Sequence, residues 1–354
     1  MSILIEAENA AVAISHGRVV EASGKFSAHI KIRGGEVRPG LINGHDHLHR
    51  NHYGRLGSPP YANAVQWAMQ VQRSCASRIE SGRKLPRQQA LQIGAWKNLL
   101  AGVTHVMHHD PWETEFERDF PLTVIRVPNS DSLGMTPDFP YPPGDARGSE
   151  RFALHVSEGV DADAAEEIRI LASRGALQPG FLAVHAVGPD SDGIRTLRAS
   201  GCAIVWCPTS NHFLFGRTAP DALVAPGMDV ILGTDSLLTG DGDILDELRF
   251  ARGRIDDERL VAAVGSVAAR RLGIPEPSLT PGARADLVIL RRPLLEASFA
   301  DIALVIAGGK LRVLDPALLP EFSLSHGSIV TWRGVRRWIS GQIPNTYCAM
   351  MPMV

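Results

Sequence analysis

Short apolar runs bounded by Gly or Pro recur along the middle of this chain, with helix-type stretches between several of them. Seven can be read, at residues 38–47, 103–107, 122–127, 152–156, 181–187, 202–207 and 229–232. Residues 90–100 (ALQIGAWKNLL) carry apolar positions at helical spacing, and Gly102 follows as a stop signal. A second helix is expected through residues 162–172. Strands and helices in alternation build parallel βαβ units with right-handed crossovers. The chain is therefore α/β, and a (β/α)8 TIM-type barrel is the natural closure. An open doubly wound sheet satisfies the same pattern.

The ends read differently. Residues 1–39 and 275–354 contain β-type runs such as 285–290 and 302–306, without a clear helix partner after Ala317. We expect these ends to form one small β domain around a barrel at 40–274. Residues 138–148 (DFPYPPGDARG) are rich in Pro and Gly and are expected to be a long loop.

The bulk numbers exclude several classes. At 354 residues the chain is long enough for one large domain and a small one. A net charge of -2 gives no basic surface for nucleic acid or anionic membranes. No apolar run reaches membrane-spanning length, and Glu6 and Glu8 stand where a secretory signal needs a basic start. Cys75, Cys202, Cys207 and Cys348 are too scattered to staple the chain, so a reducing cytoplasm is expected. Cys202 and Cys207 are read as packing residues. The expected partner is a small-molecule substrate, and a homo-oligomer stays open.

The chemistry concentrates at strand ends. In RPGLINGHDHLHR (38–50), His45 and His47 alternate on a strand, so both imidazoles share one face. At the C-terminal end of a barrel strand they face the mouth, and two neutral imidazoles suit zinc or a similar metal. A histidine-rich surface turn is the plainer reading, since His49 and His52 lie close by. Three further runs end in LHVSE (154–158), AVH (183–185) and LGTDS (232–236). Each alone reads equally as a satisfied histidine, a helix cap or a turn aspartate. Together they bring polar side chains to one mouth.

The order PGLINGHDH, GVTHVMHH, HVSE, VHAVGPD, CPTSN, LGTDS and TPGARADLVIL resembles the amidohydrolase superfamily. It is most similar to the branch of triazine hydrolases, guanine and cytosine deaminases and S-adenosylhomocysteine deaminases. The resemblance implies a metal at His45, His47, His155 and Asp235. It implies Glu158 as proton shuttle and His185 as the group that orients water or substrate, with Asp235 also catalytic. His109 and Trp67 are read as substrate contacts, although Trp67 equally suits a helix core. Asn211, in the CPTSN turn, is read as structural. Two-metal relatives bridge their ions with a carboxylated lysine. The five lysines here are Lys25, Lys31, Lys84, Lys97 and Lys310, and none lies between 97 and 310, where such a lysine would fall. One divalent metal is therefore expected, zinc by preference and Fe2+ as the alternative.

The implied reaction is hydrolytic deamination of a small aminated heterocycle. Amide, dipeptide or dehalogenating hydrolysis are the alternatives within the superfamily. A catalytically silent member is the alternative outside catalysis, against which stand the intact ligand positions and Glu158. The sequence departs from the family between His109 and His155, where no eighth strand can be placed. The expected barrel is therefore distorted or short of one unit.

Overall fold

In this computed structural model, which describes residues 2–137, 150–240, 242–324 and 326–343, all seven apolar runs form strands. The expected loop at 138–148 and the last eleven residues lie outside the described residues. We label the central strands β1 (Leu41–Asp46), β2 (Val103–His108), β3 (Thr123–Ile125), β4 (Asn129–Ser130), β5 (Phe152–Val156), β6 (Phe181–His185), β7 (Ala203–Trp206) and β8 (Asp229–Leu232). The strands β1, β2, β5, β6 and β7 are buried throughout, as parallel strands packed on both faces must be.

β1, β2 and β3 form one parallel ladder, and β4 to β8 form another. The missing unit is found between them. A single run at 123–130 pairs with β2 through its first residues (His105 with Thr123) and with β5 through its last (Leu154 with Ser130). The eighth strand, unseen in the sequence, is thus two residues long and follows β3 with no helix between. Only a short 3-10 turn, Thr114–Glu117, separates β2 from β3.

The other seam lies between β8 and β1. Here the backbone amides of Thr234 and Asp235 both donate to the His45 carbonyl at 3.0 Å. Gly44 allows the approach, because a Cβ there would stand 2.3 Å from the Ile231 side chain. The helix Arg87–Leu100 covers this seam and buries Lys97 and Asn98 against it.

Both ends of the chain meet in one sheet. Glu36–Pro39 pairs antiparallel with Leu287–Leu290, which continues into Ile302–Ala307, Lys310–Leu314, Val335–Ile339 and Ser328–Trp332. The strands Ser2–Glu6, Ala11–Ser15, Arg18–Val20 and Ala28–Lys31 form a second sheet. Ile3, Ile5 and Ile30 share a core with Leu287, Ile289 and Leu304. No helix among the described residues is long and apolar enough to cross a membrane.

Asp46 points away from the barrel interior, between its two histidine neighbours, and is fully buried. Its Oδ2 accepts from Lys97 Nζ at 3.0 Å and Asn98 Nδ2 at 2.7 Å, and its Oδ1 from Asn51 Nδ2 at 2.9 Å. Lys97 also donates to Thr234 Oγ1 (2.9 Å) and to the Asp235 carbonyl (3.1 Å). A buried charge left without its partner costs about 3–5 kcal/mol. Lys97→Met should therefore lower the unfolding free energy in urea by about that much. The double variant D46N/K97M should recover a large part of the loss, and equal stability of single and double variants would contradict the pairing.

Candidate metal and active site

The polar strand ends converge as the sequence suggests. His45 and His47 come from the end of β1, His155 from β5, His185 from the last residue of β6, and Asp235 from just beyond β8. His45 Nε2 lies 3.4 Å from His155 Nε2, and Asp235 Oδ1 lies 3.9 Å from His45 Nε2 and 3.7 Å from His47 Nε2. The two carboxylate separations are too long for hydrogen bonds. All three match instead the edges of a tetrahedron around an ion about 2.1 Å from each donor, which are about 3.4 Å. The donor set of three imidazoles and a carboxylate is the kind that zinc takes. Within this cluster two trios have ligand-compatible spacing, His45–His47–Asp235 and His45–His155–His185, and they share His45.

The electrostatics favour a cation. Burial and the neighbouring histidines pull His45 well below its ordinary value, so it is neutral with a lone pair to offer. Burial works against the Asp235 carboxylate, but His47, His185 and two hydroxyls hold it ionised, well below the usual range. Those hydroxyls, from Ser210 and Thr239, donate to Oδ2 at 2.8 and 2.7 Å and leave Oδ1 facing the histidines. Burial also lowers His155, yet Asp131, Glu158 and Asp235 together raise it above its ordinary value.

Glu158 follows β5 and stands 3.6 Å from His185 Nε2. Burial pushes its carboxyl up to about 8, with His155 opposing and Asp235 and Glu167 adding to the rise. The turn that carries it is strained. Ser157 has φ +47°, and His185, Ala186 and Asp235 have φ +73°, +48° and +53°. Such backbone in non-glycine residues costs about 1–3 kcal/mol each and persists only where the surroundings enforce it. At Ser157 the buried Glu167 does so, accepting from the Ser157 amide at 2.7 Å and the Gly134 amide at 3.1 Å.

Behind the histidines stand carboxylates that the sequence reading missed. Asp110 Oδ2 is 2.6 Å from His47 Nδ1, and Asp131 Oδ1 is 3.6 Å from His155 Nδ1. A carboxylate on Nδ1 turns the Nε2 lone pair toward a metal. Asp110 directly follows His109 at a strand end, a signal that could have been read; Asp131 sits in no recognisable pattern. A further trio, His49, His108 and Asp110, also has ligand spacing. Asp110 is already held by Arg50 (2.9 Å) and His47, and His108 Nδ1 accepts from the Leu48 amide, which places the proton on Nε2. Of the three, Asp110 braces His47.

A cavity of about 50 Å³ opens over the cluster, lined by His47, Arg50, Trp67, Asp131, Glu158 and Asp235 among others. A larger one of about 440 Å³ shares Ala64 and Glu158 with it. Trp67 does reach this site, with its indole N–H fixed to the Leu56 carbonyl at 3.1 Å. His109 does not. It is buried among the histidine rings, stacked on His155 at 4.1 Å and edge-on to His45 at 4.8 Å, with Nε2 2.8 Å from the Ser130 carbonyl. It lines a neighbouring cavity with Asp110 and Trp112.

Residues 145–312 match the amidohydrolase family. The chain is 36% identical over 122 residues to an aminodeoxyfutalosine deaminase of Deinococcus radiodurans, covering 33% of this chain and 28% of the relative. It is 27% identical over 205 residues to an 8-oxoguanine deaminase of Pseudomonas aeruginosa, covering 49% and 46%. The chain thus spans less than half the length of these relatives. Among solved structures it resembles an atrazine chlorohydrolase from Arthrobacter aurescens complexed with zinc, with a TM-score of 0.68 at 18% identity over 87% of this chain and 94% of that one. That likeness identifies the fold as the TIM-type barrel.

The carboxylates behind the ligand histidines give a direct test. Removing such a partner typically costs about 10–100-fold in metal affinity. D110N and D131N should each weaken zinc binding by about that factor in competition with a chelator, with the larger effect for D110N because its contact is the shorter. Unchanged affinity in both would deny them this role.

Proposed function

We propose that the chain is a member of the amidohydrolase superfamily and that it deaminates a small aminated heterocycle by metal-dependent hydrolysis. The observation that carries this reading is the placement of Glu158 and His185 3.6 Å apart on one flank of the His45–His155–Asp235 cluster. The two relatives' names, both deaminases, support the leaving group.

His45, His47, His155 and Asp235 would hold one divalent ion. When bound, it lowers the pKa of water from 15.7 to about 7. Zinc is the preferred occupant, since nitrogen donors dominate the set, and Fe2+ is the alternative. Glu158, in its ionised form, takes the proton from the attacking water as the C–O bond forms. It then delivers that proton to the substrate's amino nitrogen as the C–N bond breaks. Ammonia leaves only after its nitrogen is protonated, so a carboxyl poised to hold a proton fits this step better than loss of a halide. His185 faces the same space and stabilises negative charge on the heterocycle. Trp67 supplies an aromatic wall for a flat ring.

Metal analysis should find one ion per chain, and H47A and D235A should each lose it. Glu158→Gln is nearly isosteric and cannot carry the proton. It should keep metal and fold while losing about 10²–10⁴-fold in turnover. The reaction is tested with aminopurines, aminopyrimidines and aminotriazines beside N-acyl amino acids and dipeptides, with ammonia and free amine measured separately. Metal-dependent ammonia release from a heterocycle supports the reading. Amino acid release with none from any heterocycle would replace it with an amide hydrolase.

A further inference from the structure

We infer that Trp206, Thr218 and Asn211 form a one-way hydrogen-bond relay that fixes His185 as the tautomer with its proton on Nε2. His185 would then donate into the cavity and not ligate the metal. The three are positioning residues, buried beside the β6 end: Trp206 and Asn211 are fully buried and Thr218 nearly so.

The direction follows from what each group can do. An indole N–H only donates. Trp206 Nε1 lies 2.5 Å from Thr218 Oγ1, so the hydroxyl accepts there and must pass its own proton on. The other partner recorded for that hydroxyl is Asn211 Oδ1, at 3.4 Å. The asparagine oxygen is thereby used as an acceptor, and its NH2 is left to face His185 Nδ1 at 2.9 Å. A ring nitrogen that receives an N–H carries a lone pair. In a neutral imidazole the proton then sits on the other nitrogen. A doubly protonated ring would have no lone pair to accept the Asn211 N–H. The opposite amide orientation would aim two N–H groups at Thr218 and leave its hydroxyl proton without an acceptor in a buried place.

This resolves the two overlapping trios. His47 and His155 have carboxylates behind Nδ1, which direct their Nε2 lone pairs inward. His185 has an amide donor in that place, so its Nε2 offers a proton, toward Glu158 at 3.6 Å and toward whatever occupies the cavity. Spacing alone admits His185 as a ligand; the relay removes it. Asn211, read as merely structural from the sequence, thereby gains a role in the site.

The inference uses the proposed reading only for what His185 does with its proton, and the decisive measurement needs no turnover. Side-chain nitrogen and carbon chemical shifts of 15N,13C-histidine-labelled full-length protein report the tautomer directly. His185 is identified by the signals missing from H185Q, in metal-free and zinc-loaded protein. The wild type should show the Nε2–H form in both. In N211D the new carboxylate accepts from Nδ1–H, and the ring should switch to the Nδ1–H form. T218V, a milder change, should leave the amide undirected and give a mixture of both forms. A wild-type Nδ1–H tautomer, zinc-dependent shifts of ligation at His185, or an unchanged tautomer in both variants would overturn the relay. If ammonia release is found, N211D should lower kcat by about 10²-fold or more with KM within a few-fold, as loss of one transition-state donor does. A tautomer switch with kcat unchanged would overturn the donor role while leaving the relay standing.

Discussion

The barrel depends on a buried ion pair at the place where its ladder is broken. β8 and β1 share no run of paired backbone, so something else must hold the first stave against the last. Lys97 does this from a covering helix, reaching Asp46 on β1 and both Thr234 and the Asp235 carbonyl beyond β8. The pair is not a source of large net stability, since the cost of burying two charges offsets most of their attraction. Its contribution is registry. Every donor on the ammonium has a fixed acceptor, so sliding β8 along β1 would strand a charge away from water. The histidines of β1 and the aspartate after β8 are set against each other by that same constraint.

One strand carries both tasks because its side chains alternate. His45 and His47 face the mouth, and Asp46 between them faces the helix. Charge is thereby layered. The imidazoles and the Asp235 carboxylate surround the central space, and Asp110 and Asp131 stand behind two of the histidines. Burial works against a charge on His155, but Asp131, Glu158 and Asp235 around it raise it all the same. The strain at Ser157, His185 and Asp235 lies at the ends of the strands that feed this space. Hydrogen bonds from outside the reacting groups, such as Glu167 to the Ser157 amide, keep it in place.

The strands and their polar ends were legible because each is a local pattern: an apolar run, then a His or Asp. The helix at 162–173 was equally legible, with Asp161 capping it at the Ala164 amide (3.0 Å). What the sequence hid was every relation set by the barrel's closure. Lys97 counted only as a lysine in the wrong place for a bridge. Nothing local says that it meets Asp46, fifty-one positions earlier in the chain. β4 was hidden for another reason. Two residues have no periodicity, and Pro128 beside them argues against a strand until its carbonyl is seen accepting from the Ala153 amide. The place of His109 was hidden too, since a histidine after an apolar run does not say which cavity it lines. The strand ends at His108, and the next ring packs against His155 and His45.

The shortened wall also shapes the site. In a full barrel two staves and their helices would stand between β2 and β5. Here one run spans that interval, its first half bonded to β2 and its second to β5. The wall is thin enough that a cavity of about 350 Å³ lies against it, lined by His109, Asp110 and Asp131. Asp131 consequently keeps about half of its side chain exposed while it faces His155, whereas Asp110, braced by Arg50, is nearly enclosed. Two carboxylates with the same relation to a ligand histidine thus stand in different dielectric surroundings. An exposed carboxylate is screened by water and interacts weakly. The coupling of His47 to its partner is therefore tight and that of His155 loose, and the asymmetry follows from the shortened wall rather than from either residue.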